Sequence, residues 1–314
     1  MIRVLFVHRQ PGSHAARFAH EIAADLESHG MEGVVDDCSA WIPNETGWAV
    51  DRKVSAKMRE ASKGFEIIHA IGLRSAWACG EAFYLRKPWV YTVYDWPKST
   101  HQQVIDRLSS ARAGFCSTRA IRRALEDSHA VNLDYISPGI PTPLFTSVDQ
   151  DSCRLGLGID EEKLIVLVYP CGQSPRMSAT DDLEEELAIS GHQAIVYKLE
   201  PDDPHADQWL AAADILVVPG EKCGFDPFVA KAMWIGKPVA VRESGGLEEF
   251  GVKDVSLLTF QNDDDLAICV GEALHSAVFL SSVGAAARAR AHERFDLHDC
   301  IRKHVDIYRD LTSR

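Results

Sequence analysis

Residues 220–239, with the sequence GEKCGFDPFVAKAMWIGKPV, follow a short apolar segment at 215–219 and end in a second one at 238–242. Apolar runs of this length that end at glycine or proline are typical of buried strands, and residues 228–235 between them have helical spacing. Val, Ile and Leu follow one another without polar interruption, as expected for strands that helices cover on both sheet faces. The stretch therefore predicts a strand, a glycine-containing loop, a helix and a second parallel strand.

The same alternation of short apolar runs and helical patterns continues along the chain. Further strands are predicted at 3–7, 34–35, 65–70, 89–94, 114–117, 134–137, 164–169, 194–199 and 256–260. Helices are predicted after residue 13 and at 75–85, 118–126, 207–213 and 264–275. This alternation is typical of α/β folds with parallel sheets.

The length of 314 residues favours two domains, each with its own core. Three prolines and a glycine interrupt any regular structure at 137–143, which makes this segment the best candidate for a boundary. We therefore expect two doubly wound, Rossmann-like domains, with a ligand in the cleft between them, above the carboxyl ends of the strands.

The composition restricts the class of protein. Hydrophobic residues make up 46% and charged residues 25%, as in ordinary folded proteins, and 33 basic against 46 acidic residues give a formal charge of −13. This charge argues against nucleic acid or an anionic membrane as a partner. The N-terminal apolar run is too short for a signal peptide or a membrane span, so we expect a cytoplasmic protein. The eight cysteines form no C-x-x-C pair and the 13 histidines no metal-binding motif, which favours reduced thiols and no metal site.

The order of short motifs resembles the retaining, nucleotide-sugar-dependent glycosyltransferases of the GT-B fold, specifically the family-four group, also called glycosyltransferase group 1. FEIIHA at 65–70 and VYTVYD at 90–95 are similar to the family's D-h-h-H-x-H and T-x-H-D strands. AADILVVP at 212–219, the opening stretch and GGLEE at 245–249 are similar to A-D-h-h-h-x-P-S, E-G-F-G-h-x-x-h-E-A-M-A-x-G-x-P-V and G-G-h-x-E. The resemblance extends over nearly the whole chain. It implies an acceptor-side domain at 1–145, a nucleotide-sugar-side domain at 146–300 and a C-terminal helix, 301–314, that packs back on the first domain.

The resemblance also implies where the donor binds, and several of these positions are substituted. The E-x7-E carboxylates of the family match Cys223 and Lys231, and a lysine can only donate where a carboxylate accepts hydrogen bonds from ribose. Counting from Gly172, the family's phosphate-binding Arg and Lys match glutamine and serine, which leaves Arg176 as either a phosphate ligand or a solvated loop residue. We expect the donor to contact a set of residues in loops and at the start of the following helix: Gly12, Ser13, Gly172, Arg176, Gly224, Phe225 and Lys231.

Three residues near the expected site, Asp226, Asp95 and Cys223, have alternative interpretations. Asp226 precedes the helix whose N–H groups are expected to receive phosphate, where it either competes with an anionic ligand or caps the helix. Tyr94 replaces the family's histidine beside the transferred sugar, and Asp95 either binds an acceptor hydroxyl or serves as a local cap. Cys223, near the same helix N-terminus as Asp226, is either a nucleophile or a buried inert thiol. Tyr94, Asp95 and Cys223 are the candidate catalytic residues.

Three functions are compatible with these observations. The first is transfer of a hexose from a nucleotide-sugar to an unknown acceptor with retention, which in this family requires no metal or other cofactor. The alternative is a catalytically inactive relative that serves as a binding or assembly partner. A weaker third is another GT-B enzyme class, such as a phosphorylase or an epimerase. A homodimer or a partner transferase is the expected protein interaction.

Overall fold

The computed structural model describes residues 1–43, 48–82, 87–97, 106–129, 133–141, 149–160, 163–200, 203–243 and 246–313. The chain divides into two compact units: unit 1 comprises Met1–Gly139 and Leu297–Arg314, and unit 2 comprises Ile140–Asp296. The domain limit predicted at 145/146 lies outside the described residues, as does Gly245 of the GGLEE motif.

Unit 1 is built on a parallel sheet with the strand order β2-β1-β3-β4-β5-β6. Its strands are β1 (Ile2–His8), β2 (Met31–Asp37), β3 (Ile67–Ile71), β4 (Trp89–Val93), β5 (Ala113–Cys116) and β6 (Asp134–Tyr135). Its helices include α1 (His14–Asp25), α2 (Trp48–Ala61), α3 (Leu73–Glu81) and α4 (Arg119–His129). All neighbouring strands are parallel, because a helix or a longer connection returns the chain to the same edge after each strand.

Unit 2 contains a second parallel sheet, with the order β11-β10-β9-β7-β8. Its strands are β7 (Leu164–Val168), β8 (Ala194–Lys198), β9 (Ile215–Val218), β10 (Val239–Arg242) and β11 (Leu258–Phe260). Its helices are α5 (Gln150–Leu157), α6 (Leu183–Ile189), α7 (Ala206–Ala212), α8 (Pro227–Trp234), α9 (Asp263–Leu274) and α10 (Ala277–Arg294), and the final helix α11 (Leu297–Thr312) belongs to unit 1. The two doubly wound parallel sheets predicted from the sequence are therefore confirmed.

Strand β2 differs most from its prediction. It has seven residues, whereas only residues 34–35 are apolar enough to predict a strand. Gly33 allows the strand to approach α1, because a Cβ at this position would lie 2.6 Å from the Cα of Ala23. Glu32 and Gly33 separate Met31 from the two valines, and Asp36 and Asp37 follow them, so no continuous apolar run marks the ends of the strand.

A fully buried polar cluster fixes α11 in unit 1. His69 of β3 makes hydrogen bonds to Thr92 Oγ1 at 2.8 Å and to the Tyr308 hydroxyl at 2.6 Å. His304 stacks on His69 with ring centroids 5.4 Å apart, and its Nδ1 lies 2.9 Å from the Cys300 carbonyl, which can only accept. Burial lowers the pKa of His69 well below its usual value and that of His304 to about 4. Both rings are therefore neutral in the folded protein at neutral pH.

The two units differ in charge. Unit 1 has 21 basic and 19 acidic residues, a formal charge of +2, and unit 2 has the remaining 12 basic and 27 acidic residues, a charge of −15. The net negative charge of the chain therefore comes from unit 2.

Among the described helices, none is by itself long and apolar enough to cross a membrane. Helices α9 and α10 reach that length and composition only as a pair, which is bent by 102°.

Candidate functional site

The loops that follow β7 and β9 meet at the carboxyl edge of the unit 2 sheet. β7 lies between β8 and β9: the connection from β7 leads to β8 on one side, and the chain then returns to add β9 on the other side. Such a switch point is the usual ligand site of a doubly wound sheet. Ser174 and Glu221 join the two loops in an antiparallel bridge. The Glu221 N–H donates to the Ser174 carbonyl at 2.9 Å, and the Gln173 N–H donates to the Glu221 carbonyl at 3.2 Å.

Two glycines permit this close approach. Gly172 has a φ of +82°, and a Cβ there would lie 2.3 Å from the Glu221 carbonyl oxygen. A Cβ on Gly220 would lie 2.0 Å from the Cys171 carbonyl oxygen. Because both distances are shorter than any real contact, larger residues at either position would separate the loops. Gly172, a predicted donor-binding residue, thus lies at the contact between them.

Asp226 is the N-cap of α8. Its Oδ1 accepts hydrogen bonds from the Phe228 and Val229 N–H groups at 2.8 and 3.1 Å, and its Oδ2 accepts one from the Tyr169 hydroxyl at 3.2 Å. Burial and the neighbouring carboxylate raise the pKa of Tyr169 above its usual value. Of the two interpretations of Asp226, the structure shows the cap, and the carboxylate occupies two helix N–H groups that an anionic ligand would otherwise use.

Two buried thiols lie beside this cap. The Cys171 thiol donates to Asp226 Oδ2 at 3.4 Å. A hydrogen bond with Cys223, together with burial, raises the pKa of Cys171 well above its ordinary value. Cys223 has no exposed surface, so its sulfur does not face solvent. The predicted nucleophilic role of Cys223 is not tested by this geometry and stays a prediction.

Phe225 anchors the loop after β9 in the core of unit 2. It is 3% exposed and packs against Phe250 and Phe295, with ring centroids 5.5 Å away in both cases. Gly224 lies between this anchor and Cys223. The two predicted donor-binding residues therefore belong to the loop at the sheet edge, where the buried Phe225 ring holds the backbone.

Arg176 belongs to a cluster of four charges, which also includes Glu221, Arg242 and Asp263. Its guanidinium lies 3.0 Å from Asp263 and 3.3 Å from Glu221, and the hydrogen bond to Asp263 raises the pKa of Arg176. Arg242, at the end of β10, is 3% exposed; it donates to Asp263 and, at 2.9 Å, to the Pro219 carbonyl. The Arg176 side chain is 38% exposed, so it is the cation of this cluster that a ligand can reach.

Lys231 projects from the second turn of α8 towards α7. Its ammonium lies 2.5 Å from the Asp207 carboxylate, and its side chain is 12% exposed. Burial lowers the pKa of Lys231, and the interaction with Asp207 partly offsets that effect. The lysine that stands in place of the family's second carboxylate therefore has an acidic partner within unit 2.

The remaining predicted residues lie in unit 1. Tyr94 is 2% exposed and packs against Phe18 with centroids 5.2 Å apart, whereas Asp95, which follows it after β4, is exposed. Ser13 is the N-cap of α1, since its Oγ accepts from the Ala16 N–H at 3.1 Å, and Gly12 has a φ of +78°. Of the three candidate catalytic residues, only Asp95 presents its side chain to solvent.

Three charged residues of the site are absent from the sequence prediction. Glu221 lies in the loop after β9, Arg242 at the end of β10 and Asp263 at the start of α9, and their association depends on the strand order. The run DDD at 263–265 at the start of α9 and an arginine at the end of an apolar strand are the signals that sequence offers.

Other features of the described residues lie elsewhere or are missing. A cavity of about 490 Å³ in unit 1 is bordered by Ala82, Trp89 and Arg112, at the amino-terminal ends of β4 and β5. It therefore opens at the edge of the sheet opposite Asp95. In the ranges that the structure describes, no group of three or more His, Cys, Asp or Glu side chains is arranged to hold a metal ion.

The sequence of this chain is similar to that of a known protein over about half of its length. No family model matches the sequence. A D-inositol 3-phosphate glycosyltransferase from Xylanimonas cellulosilytica is 29% identical over 158 residues, which are 49% of this chain and 37% of that protein. The match thus spans well under half of the relative's length.

Two solved structures superpose over the whole chain. A sucrose-phosphate synthase from Thermosynechococcus elongatus gives a TM-score of 0.78 at 16% identity, with 100% of both chains covered. The Anabaena protein HepE, in complex with UDP-glucose, gives a TM-score of 0.76 at 16% identity, again with 100% of both chains covered. The GT-B fold that the sequence predicts is confirmed by these superpositions.

Proposed function

We propose that this chain, which has the GT-B fold of the glycosyltransferases, transfers a hexose from a nucleotide-sugar to an acceptor with retention and without a metal ion. The chain is similar in fold to a protein that binds UDP-glucose and, over part of its sequence, to an inositol-phosphate glycosyltransferase. None of these similarities favours the inactive alternative. UDP-glucose is therefore the first donor to test.

The observation that carries the proposal is the joined pair of loops at the switch point of the unit 2 sheet. The backbone bridge between Ser174 and Glu221 and the absence of side chains at Gly172 and Gly220 give a compact surface. A nucleoside diphosphate is the ligand expected at such an edge, since the backbone N–H groups can approach its phosphates there.

Arg176 is the residue that we assign to the diphosphate. Asp226 occupies two N–H groups of α8, so the helix contributes less to phosphate binding than it does where glycine precedes the helix. Arg176 can exchange its exposed ion pairs with Asp263 and Glu221 for the donor phosphate, and the buried Arg242 retains Asp263 when it does. In the reaction, Arg176 would stabilise the negative charge that develops on the leaving phosphate as the glycosidic bond breaks.

The candidate catalytic residues have different parts in this proposal. Asp95 is exposed after β4 and binds an acceptor hydroxyl. Tyr94 and Cys223 are buried, so they support the backbone of their loops, and neither needs to contact the sugar. Lys231 donates a hydrogen bond to the nucleotide after releasing Asp207.

Isothermal titration with UDP-glucose, GDP-glucose and ADP-glucose tests the donor site. Arg176→Gln removes a charge-assisted contact of about 1.5–3 kcal/mol, which corresponds to a roughly 10- to 150-fold rise in Kd. Arg290→Gln is the matched control, because it removes an arginine from an ion pair with Glu293 on α10, also in unit 2. A panel without any binding, or equal effects of the two substitutions, would contradict the proposed donor site. The same titration after EDTA treatment tests metal independence.

A further inference from the structure

The carboxyl edge of the unit 1 sheet has its own switch point. β1 lies between β2 and β3, and Val7 of β1 is in register with Ala70 of β3. Arg9 and Gly72 each follow two residues later, so they leave the sheet side by side. The start of α3 is thereby placed next to the end of β1.

The N-terminus of α3 is open. Gly72 is its N-cap residue, with a φ of 88°, and no side-chain cap bond is present in the part of the chain that the structure describes. A Cβ built on Gly72 meets nothing within 4 Å, so there is space in front of the helix. Gly72 donates its own N–H to the Thr92 carbonyl at 2.8 Å, which fixes the cap backbone against β4. The N–H groups of the first turn and the helix dipole favour an anion at such an end.

Two arginines are held beside this helix end by neighbouring carbonyls. Arg9 Nε donates to the Ile42 carbonyl at 2.5 Å, and Arg74 donates to the Pro43 carbonyl. Burial and the nearby Arg9 charge lower the pKa of Arg74, whereas Asp51 raises it. Two cations therefore lie close together, and Asp51 is the acidic group that acts on Arg74.

Two buried polar atoms at the same edge lack hydrogen bonds. His8 Nδ1, at the end of β1, and Ser75 Oγ, in the first turn of α3, have no partner among the described residues, and these residues are only 3% and 1% exposed. Asp36, Asp37 and His20 face His8, and burial lowers the pKa of His8, so its ring is neutral. Buried polar atoms are normally satisfied, which points to a ligand or water at this edge.

We propose that His8, Arg9, Arg74, Ser75 and the N-terminus of α3 form a subsite for a phosphate group carried by the acceptor. Phosphate fits better than carboxylate, because two guanidinium groups, helix N–H groups, a hydroxyl and an imidazole offer more donors than two carboxylate oxygens accept. Unit 1, at +2, is also far less repulsive to an anion than unit 2, at −15. That the phosphate belongs to the acceptor rests on the proposed transferase function, whereas the anion subsite stands without it.

Titration calorimetry with glycerol 3-phosphate, inorganic phosphate and glycerol tests the subsite. We expect glycerol 3-phosphate and phosphate to bind and glycerol not to bind. Arg9→Gln and Arg74→Gln should each weaken glycerol 3-phosphate at least tenfold, since each removes a charge-assisted contact. Arg112→Gln is the matched control: it removes an exposed arginine of unit 1 at the opposite edge, just before β5, and should change the Kd less than twofold.

A second readout does not depend on substitution. The ¹⁵N resonance of His8 Nδ1 should shift on addition of phosphate, whereas that of His205, exposed in unit 2, should not. If Arg74→Gln fails to fold because Arg74 also stacks on Trp77, Arg9→Gln and the His8 resonance still decide the question. Absence of phosphate binding to the wild type, or unchanged affinity in Arg9→Gln, would overturn the proposal.

The two proposals fail separately. UDP-glucose binding without phosphate binding would remove the anion subsite and leave the transferase proposal intact. Phosphate binding that depends on Arg9, without binding of any nucleotide-sugar, would leave the subsite intact and remove its assignment to an acceptor.

Discussion

His304 should make the docking of α11 sensitive to acid. Its pKa is about 4 in the folded protein, against 6.5 for an ordinary histidine, because the ring is buried beside His69. The unfolded chain therefore binds a proton between these two pH values and the folded protein does not. Stability is fully present above the unfolded pKa and is lost as the pH falls from about 6.5 towards 4.

The magnitude follows from these two pKa values. Between pH 7.5 and pH 5, the linkage relation gives a loss of about 2 kcal/mol from His304 alone. His69, whose pKa is also lowered by burial, adds a further loss of the same sign. The His304→Leu variant cannot bind this proton. Between pH 7.5 and pH 5, the free energy of opening α11 should therefore fall by about 2 kcal/mol less in the variant than in the wild type. The comparison uses the pH dependence, so a constant cost of the substitution cancels.

Hydrogen exchange of the α11 amides measures this free energy, since opening of α11 exposes both rings. The rates are corrected for the pH dependence of intrinsic exchange. His29→Gln is the control, because His29 lies at the surface beside Asp25 and its replacement leaves the buried pair unchanged. Equal pH dependence in His304→Leu and the wild type would refute the reasoning.

Two further predictions concern unit 2. Gly172→Ala should destabilise unit 2 by about 1–3 kcal/mol and abolish nucleotide binding, because its φ is positive and the new Cβ would clash with the Glu221 carbonyl. The control is Gly158→Ala, since Gly158 also has a positive φ but a Cβ there would meet nothing within 4 Å. Equal thermal shifts in the two variants would contradict the contact between the loops. Asp226→Ser should keep the helix cap but destabilise unit 2 by about 1 kcal/mol, because the Tyr169 hydroxyl loses its acceptor. The same change should strengthen UDP binding, because it removes a buried negative charge at the start of α8. Calorimetry that shows weaker UDP binding in a folded Asp226→Ser protein would mean that the carboxylate itself assists the nucleotide.

The architecture could be predicted because its signals are local. Apart from the two-residue β6, each strand that the structure describes contains a short apolar run that the sequence shows, and β2 is much longer than its apolar part. The cap at Asp226 is one of two interpretations of an Asp-Pro pair at a helix start, and the hydrogen bonds that its carboxylate accepts decide between them. Gly172 could be selected by its motif position, although its contact with Glu221 could not be foreseen.

The charges of the sites could not be predicted, because they depend on which strands are neighbours. Arg242 and Asp263 approach Arg176 only because the order β11-β10-β9-β7 brings the carboxyl ends of β10 and β11 towards the loop after β7. Lys231 meets Asp207 only because α8 packs near α7. The same holds in unit 1, where Arg9 and Arg74 are 65 positions apart in the chain and adjacent only through the register of β1 and β3.

The most direct test of the proposed function is to follow UDP-glucose in the presence of the protein by ¹H and ³¹P NMR. Release of UDP with initial formation of an α-configured glucose product, at least tenfold slower in Arg176→Gln than in Arg290→Gln, is the predicted result. UDP-glucose that binds but is never cleaved, with water or any acceptor offered, would contradict the claim that this GT-B protein is a transferase.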